Sequence, residues 1–94
     1  MRTLIWTEPF KRAFRRTIQR KPELQTKIQY TLEQLAENPF HSTLHSHKLK
    51  GELSGAWACT VDYDSRILFE FVYDHKTKEE KISLLTIGKH DRVY

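Results

Sequence analysis

Ninety-four residues, 38% hydrophobic and 30% charged, suffice for one small core and exclude a disordered tail. No apolar run approaches the roughly 20 residues that cross a bilayer, and Glu8 interrupts the stretch where a secretory segment would continue. The single Cys59 excludes an internal disulfide and a cysteine-built zinc site and fits a reducing cytoplasm. The net charge of +4 is uneven: residues 1–50 carry ten basic and four acidic side chains, residues 51–94 six and eight. Lys11, Arg12, Arg15, Arg16, Arg20 and Lys21 hold most of the excess. Such a cluster attracts phosphates or an acidic protein, and serves equally as a solvated helix face.

Leu4-Ile5-Trp6 reads as an opening strand. Thr7-Glu8-Pro9 then supplies a hydroxyl cap and a first-turn proline, which predict a helix start. Phe10, Phe14 and Ile18 recur every four residues with Ala13 beside them, while Lys11, Arg12, Arg15 and Arg16 fall on the opposite arc. Lys21-Pro22-Glu23 breaks the pattern and restarts it. Leu24, Ile28, Leu32, Leu35 and Ala36 form the stripe of a second helix, which stops at Asn38-Pro39 because the residue before proline resists helical geometry. The short connection predicts an antiparallel helical hairpin.

Residues 39–55 read as a polar loop with three histidines. The period then changes to two. Trp57, Cys59, Val61 and Tyr63 share one side of a strand, Ala58, Thr60 and Asp62 the other. After a turn at residues 62–65, residues 66–73 form a second strand, with Phe69 and Phe71 facing away from Leu68. DHKTKEEK is a hairpin tip, residues 81–87 return as a third strand, and Gly88 ends it. The order β-α-α-β-β-β predicts an α+β fold in which a helical hairpin covers one face of a mainly antiparallel sheet.

Among the five histidines, His75 belongs to the hairpin tip. His41 and His45 lie four apart, but in a loop and without a carboxylate to complete a ligand set, so no metal is expected. His90 has a different setting: Gly88-Lys89-His90-Asp91-Arg92-Val93-Tyr94 is a cationic and aromatic terminus directly after a core strand. Chain ends commonly fray without a task. Yet Lys89, His90, Arg92 and Tyr94 are groups that phosphodiester chemistry uses, since cations stabilise a phosphorane, imidazole transfers a proton and a phenol orients a phosphate or stacks on a base.

Two segments carry a family resemblance. His47-Lys48-Leu49-Lys50-Gly51-Glu52-Leu53-Ser54-Gly55-Ala56-Trp57, followed by Arg66-Ile67-Leu68-Phe69, resembles the "PLKG…L.G.W" and "RLVY" segments of the RelE/ParE superfamily of bacterial toxin–antitoxin toxins. Ile87-Gly88-Lys89-His90-Asp91-Arg92-Val93-Tyr94 is similar to the terminal segments of its RelE, YoeB and YafQ mRNA interferases. The resemblance extends over nearly the whole chain and implies a single RelE-like toxin domain over residues 1–94. It further implies a bacterial cytoplasmic, metal-independent endoribonuclease that cuts message in the ribosomal A site and is silenced by an acidic antitoxin.

Carried over by position, the resemblance makes His90 the general acid, His47 the base and Arg66 the clamp on the scissile phosphate. Asp64 would orient a histidine, and Tyr94 matches a terminal aromatic. Lys48 and Lys50 would add charge. Lys89 and Arg92, with Lys11, Arg12, Arg15 and Arg16, would meet RNA and the ribosome. Thr60 stands where the YafQ type has a further histidine, a role that His45 could take. The competing expectations are a ParE-like, non-enzymatic inhibitor of DNA gyrase, against which His90 argues, and an inactive relative that only binds.

Overall fold

A computed structural model describes residues 1–89; His90, Arg92 and Tyr94 therefore lie outside the described residues. The chain opens with strand β1 (Leu4–Trp6), helix α1 (Glu8–Arg20) and helix α2 (Leu24–Glu37). Strands β2 (His47–Lys48), β3 (Trp57–Thr60), β4 (Ser65–Asp74) and β5 (Glu79–Lys89) follow. The sheet order is β1-β5-β4-β3-β2. β1 runs parallel to β5, with Leu4 opposite Ile82 and Trp6 opposite Leu84, and every other pairing is antiparallel.

Thr7 couples the first helix to the sheet. Its hydroxyl accepts from the Phe10 amide at 3.3 Å, capping α1, and donates to the Leu84 carbonyl of β5 at 2.6 Å. The apolar stripes then face inward as their periods dictate. Phe10, Ala13, Leu24, Ile28, Leu32 and Leu35 pack against Cys59, Ile67, Phe69, Ile82, Leu84 and Ile87 of the sheet. Phe14 and Ile18 border this core, and Trp6 meets Phe10 and Phe14 edge-on at 5.0 and 5.4 Å between ring centroids.

The sheet face away from the helices carries a smaller apolar cluster of Leu49, Ala56, Ala58 and Leu68, with Leu85 against it. A β-bulge serves both faces. The β4–β5 register shifts between Leu68 and Phe69, which pair with Thr86 and Leu84, so Leu85 is the extra residue of β5. Leu84 faces the helices and Leu85 faces away; strict alternation would then expose Ile87, whereas the inserted residue returns it to the main core.

Three expectations need correction. The segment 39–55 is not all loop: His47 and Lys48 pair with Ala58 and Trp57 as a two-residue edge strand, too short for a period of two to show. Tyr63 does not continue the Trp57–Cys59–Val61 side; it lies in the β3–β4 turn with 91% of its surface exposed. Gly88 does not end the last strand but lies within β5, opposite Arg66.

Candidate functional site

The β3–β4 turn is built by Asp62. One carboxylate oxygen, Oδ1, accepts from the amides of Asp64 (3.0 Å) and Ser65 (2.7 Å), so the short side chain replaces the backbone partners that the turn removes. The carbonyls this turn exposes hold Arg66. Its Nη1 donates to those of Asp62 at 2.6 Å, Tyr63 at 3.2 Å and Ser65 at 3.1 Å. A guanidinium offers five N–H donors, and with Nη1 committed to the turn the remaining nitrogens can address an anion. Arg66 is half-buried, with Thr60 opposite on one side and the side-chain-free Gly88 on the other.

His47 reaches the same face. It pairs with Ala58, which pairs with Leu68, and directly opposed residues project from one side of a sheet. Leu68 and Arg66 are two apart on β4 and so share that side. Two strand spacings across and two residues along separate the Cα atoms of His47 and Arg66 by about 12 Å, a span that two long side chains can close around one ribose–phosphate unit. Leu49, Ala56, Ala58 and Leu68 form the apolar floor between them.

The loop before β2 sets the His47 tautomer. His45 adopts a left-handed backbone (φ 48°, ψ 42°) and turns its carbonyl to within 3.0 Å of His47 Nδ1. A carbonyl can only accept, so Nδ1 carries hydrogen, and the neutral ring keeps its proton-accepting lone pair on Nε2. His45 thus acts here through its backbone. The loop is closed by Leu49 N–H to Ala56 carbonyl at 3.0 Å, with Gly51 (φ 72°) and Gly55 (φ 98°) in the left-handed conformations that favour glycine. This is the physical content of the KGELSGAW segment.

The other expected site residues are distributed differently. Lys48 pairs with Trp57 and lies on the helix side, its Nζ 5.7 Å from the indole centroid. Lys50 is exposed in the loop. Lys89 pairs with Ser65, again on the helix side. Asp64 lies within the turn and lines a groove with Arg16, Arg20, Lys21 and Lys89, and no hydrogen bond joins it to a histidine among the described residues. Lys11 forms an ion pair with Glu8 at 3.3 Å, while Arg12, Arg15 and Arg16 are exposed along α1. Cys59 is not a nucleophile of this site, because burial pushes its thiol up to about 12. Sequence reasoning missed Asp62, which reads as one of several turn residues in VDYDS, and the groove, whose members come from three separate stretches of the chain.

No helix of the described residues is long and apolar enough to cross a membrane. No curated protein matches the chain. Solved structures do. YoeB/ParE toxin from Agrobacterium tumefaciens is 19% identical, with 94% of this chain and 98% of that one covered and a TM-score of 0.73. YafQ from E. coli strain BL21(DE3) is 14% identical over 100% and 99% of the two chains, with a TM-score of 0.77. The E. coli DinJ–YafQ complex gives 14%, 100%, 99% and 0.76 in the same order. At these identities the likeness is one of fold: two helices on one face of a mixed five-stranded sheet. The sequence match is to a family model described as the bacterial toxin of a type II toxin–antitoxin system, YafQ, and it spans residues 2–94. The chain therefore belongs to the YafQ family of bacterial type II toxin–antitoxin toxins.

Proposed function

We propose that this toxin is a ribosome-dependent, metal-independent mRNA endonuclease working on the sheet face away from the helices. The observation that carries the proposal is that Arg66, pinned by three turn carbonyls, shares that face with His47, whose Nε2 holds the basic lone pair. RNA supplies its own nucleophile. His47 removes the 2′-hydroxyl proton, the 2′-oxygen attacks phosphorus, and Arg66 stabilises the charge of the phosphorane. Protonation of the departing 5′-oxygen falls to His90, which follows β5 two residues after Gly88, the strand partner of Arg66. Tyr94 orients the message or stacks on a base. Lys50 and Arg92, with the exposed arginines of α1, meet the surrounding RNA, and Lys11, Lys48 and Lys89 add charge from the helix side.

An acidic antitoxin completes the reading: the chain is basic, and a solved relative, YafQ, is held in a complex with DinJ. The bacterial cytoplasm, where message and ribosomes are found, is then its place of action. The test is a translation extract with programmed ribosomes, in which message ends are mapped after adding the purified protein. Cleavage is expected within the A-site codon, falling about 10²–10⁴-fold in His47→Gln or His90→Gln. Intact message with folded protein, together with trapped gyrase–DNA complexes in a supercoiling assay, would replace this reading with the non-enzymatic one.

A further inference from the structure

We infer that the groove at the C-terminal end of α1 seats an acidic peptide segment anchored by an apolar side chain. The inference rests on the reading of the chain as a toxin restrained by an acidic partner, and gives one part of that partner a place. The groove has a volume of about 220 Å³ and is open to solvent. Its floor is apolar: Ala13, Leu24 and Ile87 are each at least nine-tenths buried. Its rim is cationic, with Arg16, Arg20, Lys21 and Lys89 all exposed. None of the four is in an ion pair among the described residues, whose salt bridges join Arg2 to Glu80, Lys11 to Glu8 and Lys81 to Asp74. Among the described residues, Asp64 is the single carboxylate in the lining.

Four unpaired cations around an apolar floor call for a ligand that is anionic and greasy at once. The floor itself suits a nucleic acid strand poorly, because base binding relies on aromatic platforms and none lines this groove among the described residues. The volume is below the roughly 300–1,000 Å³ of small-molecule pockets and suits an aliphatic side chain rather than a cofactor. An extended or helical segment that presents a leucine between carboxylates satisfies both floor and rim. The occupant would also touch Asp64, in the turn whose carbonyls hold Arg66. It would thus bear on the opposite face without covering it.

The test uses the full chain and a fluorescein-labelled peptide alternating glutamate and leucine, read by fluorescence anisotropy. Saturable binding is expected, weakened about tenfold or more by Arg20→Glu with Lys21→Glu, and equally by replacing the peptide's leucines with serine. Circular dichroism melting establishes that the variant is folded; should the double reversal unfold, Lys21→Ala replaces it, with a smaller loss expected. Undiminished binding by a folded variant, or undiminished binding of the serine peptide, would overturn the inference. So would a uridine oligonucleotide that displaces the peptide with the same dependence on Arg20 and Lys21. Peptide binding is read without ribosomes or message, so the groove and the nuclease reading fail by different results.

Discussion

Arg66 depends on a carboxylate that it does not touch. Asp62 Oδ1 ties the amides of Asp64 and Ser65, and the turn so formed aims three carbonyls at one guanidinium nitrogen. Asp62→Ala removes two hydrogen bonds and should lower stability by roughly 1–3 kcal/mol in urea unfolding. Its cleavage rate should fall further than that loss explains when assayed where the variant is fully folded, with Asp62→Asn recovering most of both. A rate unchanged in folded Asp62→Ala would show that Arg66 needs no such support. Arg66 and His47 were legible through the resemblance of their segments. Asp62 was not, since nothing in VDYDS tells which of its two aspartates bends back onto the chain. The expectation that Asp64 orients a histidine gains no support from its place in the groove.

At the hairpin tip, Lys81 Nζ lies 2.9 Å from Asp74 Oδ2, and the same aspartate's Oδ1 accepts from the Lys76 and Thr77 amides. The Lys81 hydrogen bond, followed by the Lys76 amide, draws the Asp74 carboxyl down from 3.8 to about 2. A carboxyl that is more acidic folded than unfolded stabilises the fold above its unfolded value. That contribution disappears as pH falls from about 4 towards 2. Urea midpoints measured across this window should drop less steeply in Asp74→Asn than in the parent chain; parallel curves would contradict the assignment.

Among the elements, both helices and three strands could be read from periodicity, and the reasons are visible in α1. Thr7 caps it, Pro9 opens it, and Phe10 and Ala13 are buried where a 3.6-residue repeat places them. Sequence pattern could not show that Thr7 also donates to Leu84, because that contact joins positions 77 residues apart. Thr7→Ala therefore loses a cap and a tertiary hydrogen bond together. It should cost about 1–3 kcal/mol by thermal unfolding, with Thr7→Ser close to the parent; an effect below the usual range for a cap alone would deny the second bond. The bulge at Leu85 and the two-residue β2 escaped for the same kind of reason. One is an interruption of a period, the other a segment too short to have one. β2 matters most, because alternation along it sends His47 and Lys48 to opposite faces of the sheet and so divides two neighbours that the sequence presents together.

On the scale of the whole molecule, the sheet separates two kinds of surface. The helices cover one face and place the exposed arginines of α1 at its edge. The other face keeps a small apolar floor flanked by His47 and Arg66. The uneven charge of the sequence was a guide to the first surface, and the glycine-containing loop, through its family resemblance, to the second. Neither indicated that the expected cations would divide between them, since that follows from strand register. The direct test of the central claim is the chemistry of the cut ends, examined after incubating the toxin with programmed ribosomes and synthetic message in buffer that keeps the ribosome intact. The account predicts fragments ending in 2′,3′-cyclic phosphate or its opened product, paired with 5′-hydroxyl ends, and a rate about 10²–10³-fold lower in Arg66→Ala. Fragments with 5′-phosphate and 3′-hydroxyl ends, or an Arg66→Ala toxin that cuts at the parent rate, would contradict it.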